Sequence, residues 1–256
     1  MLKIRVIPTL LWKNYGLVKG VGFNSWRRVG SVIPAIKVYN SRDVDELFLF
    51  DITATEEKRE PDNKSMKDFA IECSVPFTVG GGINKLSQIE HLLKSGADKI
   101  SINSYSYTRP EIIKEASNMF GSQCVVASID AKKNTDGQYY CYSDCGKKNT
   151  EKKPDEWAKE LEQLGCGEIL ITSINLDGTR KGYDIKLIST VVKAVSVPVI
   201  ASGGAGNYDH MVYAIRDGGA SAVAAASMFH FTDQTPLKAK KKLNESGIPV
   251  RDCYRM

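Results

Sequence analysis

No run of 18 uncharged apolar residues occurs in the chain, which excludes a membrane-spanning helix, and the start Met1-Leu2-Lys3-Ile4-Arg5 carries no long apolar leader. A soluble, cytoplasmic protein with no membrane contact is expected. Histidine is scarce. His91, His210 and His230 stand apart and are expected in surface or packing roles. The six cysteines, at 73, 124, 141, 145, 166 and 253, lack the spacing of a secreted disulfide framework. Cys141 and Cys145 form the one close pair, too few ligands for a metal site, so neither metal nor cofactor is expected. The charge excess is small, at +5, and Lys and Arg are scattered rather than interleaved with aromatics. That excludes a nucleic-acid surface and suits an anionic small molecule. The run Lys238 to Lys242 is expected as the solvated face of a terminal helix.

What is present is a repeated strand-to-glycine signal. Pro76-Phe77-Thr78-Val79 breaks into Gly80-Gly81-Gly82-Ile83, and Pro198-Val199-Ile200-Ala201 into Ser202-Gly203-Gly204-Ala205, with Gly82 and Gly204 122 positions apart. Glycines at the end of a strand let backbone N–H groups and the next helix start approach an anion. A single such loop is as often a tight turn. Two copies at a fixed offset point to two similar halves and two anion sites.

Short apolar runs of strand type recur eight times, at Ile4–Leu10, Glu46–Phe50, Phe77–Val79, Lys99–Ile102, Cys124–Ile129, Glu168–Thr172, Val199–Ala201 and Ser221–Ala225. Segments of helical period lie between most of them, as at Leu86, Ile89, Leu92 and Leu93. Eight β/α units in 256 residues predict one closed (β/α)8 TIM barrel, an α/β fold with half-barrels at about 1–121 and 122–256. Two irregular stretches interrupt the alternation. Residues 13 to 34, rich in Gly, Trp and Arg, suit a lid over the mouth, and Gln138 to Tyr142 suits a small added hairpin.

Several stretches together resemble the cyclase subunit of imidazole-glycerol-phosphate synthase: Phe77 to Ile83, Gly96 to Asn103, Phe120 to Gln123, Ile129-Asp130-Ala131-Lys132, Gly146 to Thr150, Gly167 to Leu170 and Ile200 to Gly206. The resemblance runs nearly end to end. It implies a barrel that docks a glutaminase on its lower face and uses ammonia, delivered along the axis, on a sugar phosphate at its upper face. By resemblance, one phosphate site comprises Gly82, Asn103 and Ser104, and the other Asp177, Gly178, Gly204 and Ser227. Asp177, itself an anion, suits orienting its loop or binding a substrate hydroxyl. Arg5, Glu46, Lys99 and Glu168 match a charged ring at the lower end of the ammonia channel, with Thr78 and Ser101 lining the path above it. Charges at strand starts are ordinarily solvated ends; four that sum to zero are better explained as mutual pairs. Asp98 matches a contact to the glutaminase.

One position departs from the pattern. The family uses two aspartates, at the ends of strands 1 and 5, as acid and base. Asp130 is the second, and Leu11 stands where the first belongs. Leucine transfers no proton, and such assistance is worth about 10²–10⁴-fold. Lys19 and Asp51, which also face the family's active site, remain. Retained gate and halved acid-base pair resemble the family's paralogues of surface-polysaccharide pathways. The expectation is therefore an ammonia-channelling subunit serving amidation of a nucleotide-linked acetamido sugar by a separate amidotransferase. The alternative is an authentic cyclase of histidine biosynthesis with relocated acid-base chemistry. An isomerase of the sister half-barrel family is disfavoured by the full charged set. Trp12, Trp26, Arg27 and Arg28 are expected at the mouth or in the lid, as stacking and charged groups for a nucleotide sugar or as lid packing.

Overall fold

The computed structural model describes residues 3–13 and 16–251. Among them the strands are β1 (Arg5–Lys13), β2 (Gly16–Val21), β3 (Asn24–Gly30), β4 (Leu47–Asp51), β5 (Phe77–Gly80), β6 (Lys99–Ile102), β7 (Val125–Lys133), β8 (Tyr139–Ser143), β9 (Lys148–Asn149), β10 (Glu168–Ser173), β11 (Val199–Ser202) and β12 (Ala222–Ala225). The helices are α1 (Val32–Asn40), α2 (Asn63–Glu72), α3 (Leu86–Lys94), α4 (Glu111–Phe120), α5 (Pro154–Gln163), α6 (Ile185–Val192), α7 (Tyr208–Arg216), α8 (Ser227–Phe231) and α9 (Pro236–Glu245).

Eight of the strands pair in parallel in the order β1-β4-β5-β6-β7-β10-β11-β12, and β12 returns to β1, closing the barrel. This is the (β/α)8 architecture that the alternating pattern predicts. Sequence also places the helix starts: Asp62, Asp184, Asn207 and Thr235 each accept a backbone N–H of the first turn of their helix, and Pro154 and Pro236 occupy positions where no donor is needed.

Strand period 2 sorts each strand into two faces. On β1, Val6, Leu10 and Trp12 join the large cluster between barrel and helices, while Ile7 joins Phe48, Val126, Leu170, Ile200, Ala222 and Ala224 inside the barrel. Following the inward face gives columns from one end to the other: Arg5, Ile7, Thr9, Leu11 on β1; Glu168, Leu170, Thr172 on β10; and Val126, Ser128, Asp130 on β7. These columns connect the two ends of the site.

Two strands run past their expected ends for one reason. β1 continues to Lys13 because Leu11, Trp12 and Lys13 pair with Val18, Leu17 and Gly16 of β2, and β7 continues to Lys133 because it pairs with β8. Both extensions rise over the mouth. The first is the expected lid, a β2–β3 hairpin; Asn14 and Tyr15 within it lie outside the described residues, as do Met1, Leu2 and Cys253. The second is the expected small hairpin, with β9 added to β8.

The terminal basic run differs from the expectation. Lys240 of α9 is fully buried, its Nζ 3.0 Å from Asp45 Oδ1 and 3.0 Å from the Asp43 carbonyl oxygen. Asp45 also accepts the Val6 N–H at 2.9 Å. A charge so deep needs partners, and the loop before β4 supplies them. Lys238, Lys241 and Lys242 do keep to the outer side.

Candidate active site

At the start of the barrel strands four charged side chains close on one another. Arg5 reaches Glu46 at 2.6 Å and Glu168 at 2.7 Å; Lys99 reaches Glu46 at 3.1 Å and Glu168 at 3.0 Å. The circuit Arg5–Glu46–Lys99–Glu168 is thus complete, each charge touching two of opposite sign. Glu46 is the deepest member, at 1% exposure, and accepts a further bond from Thr78 Oγ1 at 2.7 Å. Burial works against the Arg5 guanidinium, but Glu168 and Glu46 outweigh it and hold its pKa above the ordinary value. Asp98, beside the ring on the same face, is exposed and spends one carboxylate oxygen on the Phe77 N–H at 2.8 Å.

Above the ring lies the interior apolar layer, and above that a cavity of about 450 Å³. The structure brings together there every residue assigned by sequence to the upper face: Leu11, Lys19 and Asp51; Gly82, Asn103 and Ser104; Asp130; and Asp177, Gly178, Gly204 and Ser227. Ser101 lines the same cavity, whereas Thr78 stays below with the ring. Two glycines show why no other residue serves. Gly82 has φ +71° and a Cβ on it would lie 2.7 Å from the Ala54 Cβ; Gly178 has φ +75° and its Cβ would lie 2.1 Å from the Gly20 carbonyl oxygen. Ser227, buried at the first turn of α8, has an Oγ with no hydrogen-bond partner, and so does Thr9, one inward step below Leu11.

Asp130 is the carboxyl with the chemistry of an acid-base group. Enclosure by protein raises its pKa, Asn103 donating from Nδ2 at 2.6 Å opposes that, the Asp177 charge adds to it, and the balance lies at about 7. A group poised there exchanges protons readily at neutral pH. Leu11 on β1 lines the same cavity with an apolar side chain.

The other two polar candidates are already engaged. Lys19 of β2 is 2% exposed and holds Asp177 at 2.5 Å, and the same loop accepts the Gly22 N–H through the Asp177 carbonyl at 2.9 Å. Asp51, at the end of β4, does not present a free carboxylate. It takes the Thr53 and Ala54 N–H groups and pairs with Arg59 at 2.6 Å and 2.8 Å. Arg59, which lines the cavity, was not singled out as a site residue by sequence; its signal is the closing of a turn eight residues after Asp51.

The aromatic and basic set divides. Trp12 faces away from the mouth, buried edge-on against Phe69 with ring centres 5.6 Å apart. Arg27 lies 3.8 Å over the ring of Phe231, which pins β3 to α8. Arg28 crosses the backbone of Gly16. Trp26 alone of these lines the cavity, together with Phe23 at the hairpin tip. His230 packs between Tyr39 and the Thr9 carbonyl, and burial lowers its pKa to about 4. Among the described residues the cysteines are unbridged, no three His, Cys, Asp or Glu side chains gather as a metal-holding group, and no helix is long and apolar enough to cross a membrane.

Residues 5–235 match the family described as histidine biosynthesis protein. The chain is 42% identical over 251 residues to the imidazole glycerol phosphate synthase subunit HisF of Streptococcus mutans serotype c (strain ATCC 700610 / UA159), covering 98% of this chain and 100% of that relative. Of the two readings open from sequence, this similarity supports the cyclase subunit and corrects the preference given to sugar amidation. The chain belongs to the histidine biosynthesis family and, within it, to the HisF-type subunits.

Proposed function

We propose that the protein is the ammonia-using cyclase subunit of an imidazole-glycerol-phosphate-synthase-type complex. A glutaminase subunit docks over the face that bears Asp98 and the Arg5–Glu46–Lys99–Glu168 ring. Ammonia passes the ring, follows the inward columns by Thr78 and Ser101, and enters the cavity. A bis-phosphorylated ribulosyl substrate spans that cavity. One phosphate sits on Gly82, Asn103 and Ser104, and the other on Gly178, Gly204 and Ser227, the twin cradles of two repeated halves, 1–121 and 122–256. Asp130 moves the proton, and Lys19 with Asp177 and Asp51 with Arg59 hold the cradle loops in place.

The observation that carries the ammonia-using part of this reading is the closed four-charge ring beneath the cavity, and the 42% identity to a HisF subunit supports the cyclase part. A barrel that bound sugar phosphates alone would have no use for the ring, and mutually paired charges at the base of a channel can part and re-form for a small neutral molecule. The test is glutamine-dependent product formation by the barrel mixed with a family glutaminase. Under the proposal Lys99→Met disturbs the use of glutamine-derived ammonia far more than that of added ammonium salt; an equal effect on both would remove the gate.

Leu11 favours a second reading. With one carboxyl of the pair absent from the cavity, the barrel would convey ammonia for amidation of a nucleotide-linked acetamido sugar by a separate enzyme. If Asp130→Asn left such amidation intact in the assembled complex, the second reading would stand and the first would fall.

A further inference from the structure

Three tryptophans occur in the chain, and two are packing residues: Trp12 lies against Phe69 and Trp157 against Tyr107, both buried. Trp26 is different. It is half-buried, it lines the cavity, and among the described residues no ring or cation is stacked on it. One side of the indole covers Gly20, where a Cβ would lie 2.9 Å from Trp26 Cε3. The Gly20 carbonyl in turn abuts Gly178, so the indole sits one residue's thickness from the second glycine cradle.

The hairpin that carries Trp26 is fixed at three points around that cradle. Lys19 pairs with Asp177, the Gly22 N–H bonds to the Asp177 carbonyl, and Arg27 lies over Phe231 at the end of the helix that Ser227 begins. A large aromatic face held by these fixed contacts beside the glycine cradle has little further conformational freedom to lose on binding a ring. Leu11 gives the same cavity an apolar wall in place of a charged one. A phosphate alone would use none of this surface.

We propose that Trp26 forms a stacking subsite for a planar heteroaromatic ring carried by a phosphorylated ligand whose phosphate occupies the Gly178–Gly204 cradle. The proposal rests on the cyclase reading for the identity of that ring, an imidazole, and on geometry for its place. Trp26 is then a specificity-determining residue: it distinguishes ligands that carry the ring from those with the phosphate alone.

The test pairs two ligands with three proteins. Dissociation constants of imidazole glycerol phosphate and of glycerol 3-phosphate, which lacks the ring, are measured by calorimetry on the full chain, on Trp26→Leu and on Trp26→Phe. Stacking on an aromatic side chain predicts that the preference for the ring-bearing ligand falls about tenfold in Trp26→Leu and is largely kept in Trp26→Phe. A role confined to holding the hairpin would weaken both ligands alike and leave the preference unchanged, which overturns the proposal. Indole emission gives a second readout on the unaltered chain. Quenching by imidazole glycerol phosphate and not by glycerol 3-phosphate supports the subsite; no quenching by either, with both bound, overturns it. If glycerol 3-phosphate binds and the ring adds nothing to affinity, the subsite fails while the cradle stands. If neither ligand binds, the subsite and the cyclase reading fail together.

Discussion

Asn103 donates from Nδ2 to Oδ2 of Asp130 at 2.6 Å, across the gap between β6 and β7. The bond stabilises the charged carboxylate, yet burial and the Asp177 charge still leave the pKa near 7, well above the ordinary 3.8. The folded protein therefore keeps this proton over a range in which the unfolded chain has released it. The group's contribution to stability is full below about pH 4 and is lost as pH climbs towards 7. Asp130→Asn is expected to raise the melting temperature at pH 8 and to change it little at pH 4. Asn103→Ala, which removes the donor, is expected to move the Asp130-dependent limb of the pH–rate profile to higher pH.

The charged ring makes a separate prediction. Replacing Glu46 by Gln keeps the shape but leaves Arg5 and Lys99 each with one partner. Both cations retain some contact with water, so a loss of about 1–3 kcal/mol is expected in urea unfolding, below the cost of breaking a fully buried pair. Arg5 and Glu168 would remain paired, and the barrel would remain folded.

Asp51 orders the turn after β4 through Thr53, Ala54 and Arg59. Asp51→Ala is expected to cost about 1–3 kcal/mol and to weaken binding of a phosphate ligand at the Gly82 cradle, since the Arg59 carbonyl and Ala54 both pack against Gly82. Arg59→Lys, with Asp51 in place, should lose much of the same support, because one ammonium cannot bridge both oxygens of the Asp51 carboxylate as the guanidinium does.

Far from the cavity, Lys240 links α9 to the loop before β4 through Asp43 and Asp45. Lys240→Met strands the Asp45 carboxylate and the Asp43 carbonyl beneath a helix. A loss of about 3–5 kcal/mol is expected from chemical denaturation, with affinity for phosphate ligands unchanged in the molecules that remain folded.

The barrel was legible because its signals are local and repeated. Eight apolar runs, the helical period between them and the doubled glycine loops each state the same fold, and the period of 2 carries Arg5 and Leu11 onto one inward column. The doubled glycine loops marked two edges of the cavity, and the family resemblance supplied its other residues. What was not legible depends on distant partners. Nothing near Lys240 in sequence announces that Asp45 will lie against it. The pairing of Asp51 with Arg59 likewise depends on a turn that folds back on the strand end. Trp12, by contrast, could have been placed outward by the same alternation that turns Leu11 inward. Counting inward by twos from Leu11 and Asp130 would have found Thr9 and Ser128.

The most direct test of the central claim is turnover of the bis-phosphorylated ribulosyl substrate by the purified barrel with ammonium salt, followed as formation of imidazole glycerol phosphate. Product is expected from the unaltered chain, at a higher rate in Leu11→Asp, where a second carboxyl faces the cavity, and not at all in Asp130→Asn. Tight binding of the substrate with no product from either the unaltered chain or Leu11→Asp would contradict that claim.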